Sequence, residues 1–268
     1  MDVIDNEMLN VAKQAAKAAG ARIAEYRGHV IGKPKGFRDF VSEADLAAES
    51  IVLGAIRTPY PFHSILSEEG GGKDSAASDY CWIVDPLDGT KNYLWGVPIN
   101  VVSIALAYKD RVGLGVVYDP WRDELFWGRA GHGAYLNDTR IHVNDHLRLA
   151  DCMVATDFGY TAQRVELTAA MSKSLQGEVA GLRAFGAAAL ILSYVACGRL
   201  DAYFNYGLNA WDMAAGGFLV EEAGGRTTDL NGESDYLYSP GCLSTNGHIH
   251  DEVLRDWMRD GVLPLQLA

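Results

Sequence analysis

The stretch "WIVDPLDGT", Trp82 to Thr90, decides how the rest of the chain is read. Three apolar residues that predict a buried strand run into Asp85, and Pro86, Leu87, Asp88, Gly89 and Thr90 follow. Two carboxylates at the mouth of an apolar strand are costly unless a positive charge sits between them. Pro86 fixes its own φ and shapes the turn. Gly89 lets backbone come close to a ligand. Thr90 offers a hydroxyl and is predicted to begin a helix, where exposed N–H groups can hold a phosphate oxygen. A strand, a carboxylate pair and a Gly-Thr at a helix start suit a metal ion beside a phosphate. A plain turn does not need all of these parts.

Other carboxylates recur at the ends of predicted elements. Glu68 and Glu69 follow the strand "HSIL", Asp212 opens a helix after "NYGLNAW", and Asp45 lies in the first turn of a helix begun by Ser42. Hard oxygen ligands at such positions suit Mg²⁺. The helix dipole alone could account for Asp45 and Asp212, so the "DPLDGT" motif tips the balance. Two look-alikes fail on spacing. "EEGGGKDS" lacks the Lys-Ser/Thr of a P-loop and reads as a flexible loop. The aspartyl-phosphate motif of haloacid dehalogenases spaces its aspartates two apart. Here they are three apart around a proline, which suits metal ligation.

The chain has 268 residues, 49% hydrophobic and 22% charged, with a net charge of -12. That length supports a large core and two subdomains. The acidic balance argues against nucleic acid or an anionic membrane as partner. Cys81, Cys152, Cys197 and Cys242 form no C-x-x-C pair and read as free thiols in a reducing compartment. The acidic N-terminus shows no signal peptide, so a cytoplasmic location is expected. "AFGAAALILSYVACG", Ala184 to Gly198, is too short to span a membrane and reads as a buried helix.

Apolar spacing predicts helices over 7–27, over "SEADLAAESIVLGAIRT" and over "TAQRVELTAAMSKSLQ", residues 186–198, "AWDMAAGGFLVEEAGG" and "HDEVLRDWMRD". "INVVSIALAY", "RVGLGVVYDP" and "DELFWGRA" predict an antiparallel meander. The second half alternates strands and helices. The expected organisation is an α+β subdomain over 1–150 carrying the metal motifs and an α/β subdomain over 151–268 completing the site.

At this point the sequence resembles the inositol monophosphatase family, within the lithium-sensitive, Mg²⁺-dependent phosphatases. "SEEG" at 67–70, "WIVDPLDGTKNY" at 82–93 and "WDMAAGGFLVEEAGG" at 211–225 carry the match, with "DFVSEADLAAE" and "GVVYDPWRDELFWGRAGHGAYLN" extending it over nearly the whole chain. The resemblance implies a five-layered αβαβα sandwich, a homodimer, two to three Mg²⁺ ions per site and a small phosphate monoester as partner. Carried over by position, Glu68, Asp85, Asp88, the carbonyl of Leu87 and Asp212 would hold metal. The amides of Gly89 and Thr90 would hold phosphate. Thr90 and Asp45, with Glu68, would orient or deprotonate the attacking water, and Glu69 would stand behind the ligands. Asp88, Asp212, Gly186, Ala187, Ala188 and Asn205 would meet the substrate.

Three positions depart from the family pattern. Ala187 replaces a Thr, Asn205 a Glu, and Lys91 a Thr; Lys91 is expected to point to solvent. The reaction class is untouched, while the alcohol is left open among inositol 1-phosphate, histidinol phosphate, fructose 1,6-bisphosphate and related esters. An adenosine 3′,5′-bisphosphate enzyme fits less well, because no acidic residue follows "GTK". A non-catalytic phosphate-binding regulator is the alternative of another class; it predicts a lost metal ligand, and none is lost. Tyr118, Trp121, Phe126 and Trp127 could serve as dimer interface or as core.

Overall fold

The computed structural model describes residues 4–259 apart from 29–30, 37–38, 71, 74–77 and 160. The "EEGGGKDS" loop falls partly outside those residues. In chain order the elements are α1 (Asn6–Tyr26), β1 (Lys33–Gly36), β2 (Asp39–Val41), α2 (Glu43–Arg57), β3 (Ser64–Ser67), β4 (Gly72–Lys73), β5 (Tyr80–Asp88) and α3 (Thr90–Leu94). The meander follows as β6 (Val101–Tyr108), β7 (Arg111–Asp119), β8 (Glu124–Arg129), β9 (Ala134–Leu136) and β10 (Thr139–Ile141). After it come β11 (Met153–Thr156), α4 (Ala162–Leu175), β12 (Gly181–Arg183), α5 (Ala188–Ala196), β13 (Ala202–Asn205), α6 (Ala210–Glu222), β14 (Arg226–Thr228), β15 (Cys242–Thr245) and α7 (His250–Val253).

Local chemistry explains the starts of the first two helices. Asp5 caps α1 by accepting from the Met8 amide at 2.9 Å. Ser42 caps α2 in a capping box with Asp45. Strand periodicity then assigns the layers. Along β5, Trp82 and Val84 face α1 and α2, while Cys81 and Ile83 face α5 and α6. Along β13, Tyr203 faces α5 and α6, while Ala202 and Phe204 meet α4 and α7. The order is α1/α2, an eight-stranded sheet, α5/α6, a five-stranded sheet, and α4/α7, which is the expected αβαβα sandwich.

The large sheet runs β10-β9-β8-β7-β6-β5-β3-β4, antiparallel except for the β3–β5 pair. The smaller runs β12-β11-β13-β15-β14, with β11 parallel to both neighbours. One boundary differs from the sequence reading. β5 does not stop at Asp85 but continues to Asp88 through a bulge, since Asp85 pairs with Ser103 and Asp88 with Val101. Pro86 has no N–H to lose there, and the extra residue re-aims the carboxylates.

The meander aromatics act within the chain. Phe126 is fully buried, Trp127 stacks on Tyr135 at 4.3 Å, and Trp121 donates to Asn100 at 2.9 Å. The described residues contain no helix long and apolar enough to cross a membrane. The four cysteines are unbridged, and Cys197 alone of them is not fully buried.

Gly115 on β7 lets α6 settle on the sheet, because a Cβ there would lie 2.8 Å from the Ala215 carbonyl oxygen. Gly115→Val is expected to destabilise the protein by about 1–3 kcal/mol through overpacking. Urea unfolding followed by tryptophan fluorescence reads this, and an unchanged midpoint would contradict the packing.

Candidate functional site

Three carboxylates from two elements converge between the sheets. Oxygens of Asp85, Asp88 and Asp212 lie within 4.8 Å of one another. Each is fixed by backbone amides. Asp85 accepts from the Leu87 amide across the bulge at 3.0 Å. Asp88 accepts from the amides of Ala188 and Ala189 at 3.1 and 2.8 Å. Asp212, in the first turn of α6, accepts from the Asn209 amide at 2.6 Å.

Electrostatics set this cluster apart from an ordinary cap. Burial lifts Asp85 and Asp88 well above the usual carboxylate range. The charges of Glu68, Asp88 and Asp212 raise Asp85 further, and that of Asp212 raises Asp88. Close, buried like charges of this kind favour a bound proton or cation among them. An all-oxygen, preoriented donor set, buried at Asp85 and Asp88 and half-buried at Asp212, fits Mg²⁺.

Glu68 lines the same cavity but is held by Lys35 of β1 at 2.9 Å. Lys35 also reaches Glu69 at 2.5 Å. Burial pushes Glu69 up to about 7 despite that partner. Among the described residues Glu68 thus stands outside the three-carboxylate group, paired with Lys35 instead.

Behind the cluster lies a hydroxyl–carboxylate pair. Asp45 is fully buried and accepts from the Ser42 amide, the Ser42 hydroxyl and, at 2.9 Å, the Thr90 hydroxyl. Burial raises its pKa, and these hydrogen bonds oppose the rise. The Leu87 carbonyl is a second acceptor for Thr90, at 3.0 Å. One hydroxyl proton serves two acceptors, so the Thr90 oxygen can still accept from a third group. Gly89 makes the corner between β5 and α3. Its φ is 91°, and a Cβ would meet the Ile99 carbonyl at 2.7 Å, so no other residue fits without strain.

These groups open on a cavity of about 230 Å³. Glu68, Asp85, Leu87, Asp88, Gly89, Thr90 and Asp212 line one side. Gly186, Ala188 and Asn205 line the other. Asp45 and Ala187 are buried and are not part of its lining. Lys91, expected to point to solvent, is half-buried in the wall because α3 begins at Thr90 and turns its first residues inward.

Sequence reasoning missed Asp157 and Tyr203, which share this wall. Asp157 accepts from the amides of Phe185 and Gly186 at 3.0 and 2.8 Å and from the Tyr203 hydroxyl at 3.3 Å. Asn205 donates to the Tyr203 hydroxyl at 2.9 Å and accepts from the Gly207 amide at 2.8 Å. The only signal in the sequence was a carboxylate just past a strand, in "CMVATDF". A second grouping, His146, Cys152 and Asp201, serves structure. Asp201 accepts from the Met153 amide at 2.7 Å and from Asn246, and burial pushes the Cys152 thiol up to about 12, away from the thiolate a metal needs.

The geometry has counterparts among known proteins. The model of the inositol monophosphatase family matches residues 5–259. A Pasteurella multocida relative named Nus factor SuhB is 42% identical over 253 residues, covering 93% of this chain and 95% of the relative. The crystal structure of the extragenic suppressor protein suhB from Bartonella henselae superposes with a TM-score of 0.91 at 38% identity, over 96% of this chain and all of that one. An inositol monophosphatase from Anabaena (Nostoc) sp. PCC 7120 superposes with a TM-score of 0.85 at 39% identity, covering 97% of both chains.

A pH dependence follows from the raised carboxylates. The folded pKa of Glu69, about 7, exceeds its unfolded value of 4.5, so the stability it contributes is complete below about 4.5 and is lost as pH rises to about 7, and Asp85 and Asp88 shift in the same direction. Without metal, the melting temperature should fall as pH rises from about 4.5 to about 7, and saturating Mg²⁺ should raise it. A melting temperature indifferent to both pH and Mg²⁺ would contradict this description of the site.

Proposed function

The chain belongs to the inositol monophosphatase family, and from that premise we propose that it is a Mg²⁺-dependent phosphomonoesterase acting on inositol 1-phosphate or a similar cyclitol or sugar phosphate. The observation that carries this reading is the convergence of Asp85, Asp88 and Asp212 on one cavity, the first two buried with raised pKa values and the third half-buried beside them.

In this reading Asp85, Asp88, Asp212, Glu68 and the Leu87 carbonyl would hold two to three Mg²⁺ ions. The bound ions would supply charge neutralisation for the phosphate and Lewis acidity toward water and leaving alkoxide. The chain itself supplies position and a route for the proton. Gly89 and Thr90 present amides at the start of α3 to the phosphate oxygens. The Thr90 hydroxyl, donating to Asp45, accepts the proton of the attacking water, so Asp45 acts as base through it. Gly186, Ala188 and Asn205 frame the alcohol, with Ala187 buried behind them. Direct attack by water suits a site where no cysteine or histidine lines the cavity among the described residues. Inhibition by lithium and a homodimeric, cytoplasmic enzyme belong to the same reading. Histidinol phosphate and fructose 1,6-bisphosphate remain substrates of the same chemistry.

A second reading takes its support from the relatives named Nus factor SuhB, a name that states no hydrolytic activity. On it the chain would keep the fold and serve as a Nus factor. The complete carboxylate set favours catalysis.

Release of p-nitrophenol from p-nitrophenyl phosphate tests both readings. Wild-type protein should turn over with Mg²⁺ and stop with EDTA. Asp88→Asn, which removes a ligand charge, should lose about 10³-fold or more in kcat, the several kcal/mol that such charge stabilisation supplies. Metal-independent turnover, or an Asp88→Asn variant near wild type, would overturn the assignment.

A further inference from the structure

Among the described residues the smaller sheet brings one charged acceptor, Asp157, to the cavity wall, and its placement is a property of that sheet. Asp157 stands one residue beyond β11, which runs parallel to β13 with Thr156 beside Phe204. That register brings Asp157 to the same end of the sheet as Tyr203 and Asn205. The carboxyl ends of neighbouring parallel strands are where open sheets present binding groups.

The hydrogen-bond inventory separates its two oxygens. Oδ1 accepts two backbone amides, from Phe185 at 3.0 Å and Gly186 at 2.8 Å, and is filled. Among the described residues Oδ2 has the Tyr203 hydroxyl alone, at a long 3.3 Å. An ionised carboxylate offers about four lone-pair sites, so Oδ2 keeps room for a donor. The neighbouring polar groups are more fully engaged. Asn205 uses its amide nitrogen on Tyr203 and its oxygen on the Gly207 amide. Asn92 gives its amide nitrogen to the carbonyls of Ile99 at 2.8 Å and Phe185 at 2.6 Å. Lys91, on the same wall, lowers the cost of the Asp157 charge, while burial raises it.

We propose that Asp157 is the specificity-determining residue of this cavity: its Oδ2 accepts a hydrogen bond from a hydroxyl or ammonium group that the phosphorylated alcohol carries near its ester oxygen. The preferred substrates are then phosphate monoesters of donor-bearing alcohols, and aryl phosphates without such a donor gain nothing from this wall. The proposal rests on the phosphatase reading and adds a residue to it. Its physical basis is asymmetric. A donor-bearing alcohol replaces the water lost from Oδ2, whereas an alcohol without a donor leaves a partly buried carboxylate oxygen with only the long Tyr203 bond. Tyr203, held by Asn205 from behind, fixes the carboxylate's plane without filling Oδ2.

Asp157→Asn is the matched test. The asparagine oxygen can still accept from Phe185 and Gly186, so the loop before α5 keeps its anchor. The other oxygen becomes an NH₂ that donates and no longer accepts. With Mg²⁺, kcat/KM of the variant should fall about 10- to 100-fold on myo-inositol 1-phosphate, on histidinol phosphate, or on both, while staying within about twofold on p-nitrophenyl phosphate. The arm with the larger loss identifies the donor as hydroxyl or ammonium. Equal losses on all three esters would reduce Asp157 to a loop anchor and overturn the proposal, and so would no loss on any. If wild-type protein hydrolyses none of them, the phosphatase reading fails, and calorimetry decides the fate of Asp157 separately. Myo-inositol 1-phosphate should bind the variant about tenfold more weakly with inorganic phosphate unchanged. Equal affinities of wild type and variant for inositol 1-phosphate would overturn it.

Discussion

The carboxylate of Asp88 accepts from the Ala188 and Ala189 amides, and through those two bonds the large sheet holds the first turn of α5. The capping residue of that helix, Ala187, has no side chain to offer its amides. Asp88 supplies the cap from 100 residues away, and charge-assisted bonds of this kind contribute about 1.5–3 kcal/mol each. The same carboxylate stands beside Asp85 and Asp212, where its charge is unwelcome. Fold and site therefore make opposed demands on one group: α5 favours Asp88 ionised, and its neighbours favour it protonated. A divalent cation satisfies both, so metal binding and the joining of the two sheets are thermodynamically linked.

The other site residues follow from the same geometry. The Pro86 bulge lets Asp85 and Asp88 leave one strand on the same side. Gly89 turns sharply enough to bring Thr90 over Asp45. Asn92 ties the far end of that corner to the carbonyl of Phe185, so the two halves of the cavity are joined beside the carboxylate cluster as well as at it. On the proposed reading a shift of either sheet would move the proposed metal, phosphate and alcohol contacts together, and a displacement of about 1 Å is enough to cost a large part of catalysis.

Much of this was legible in "WIVDPLDGT" and in "WDMAAGG", because each motif is local: a strand, a bulge or cap, and the carboxylates it presents. The Ser42–Asp45 capping box was readable for the same reason. The rest depends on contacts distant in sequence. That Asp88 caps α5 requires knowing which helix start lies opposite β5. Asp157 carried no motif, and only the parallel pairing of β11 with β13 sets it beside Tyr203. The end of β5 was misplaced because a proline usually stops a strand, whereas a bulge absorbs it. Lys91 was read from the exposed default of its residue type, which a short helix facing a cavity overrides.

The central claim is that the close carboxylates exist to hold cations. Crystals of the protein grown with Mn²⁺, a Mg²⁺ substitute with a usable anomalous signal, test it most directly. The account predicts anomalous peaks between Asp85, Asp88 and Asp212, with at least one within coordination distance of two of these carboxylates. A map without peaks there, with the three side chains sharing protons through short mutual hydrogen bonds, would contradict it.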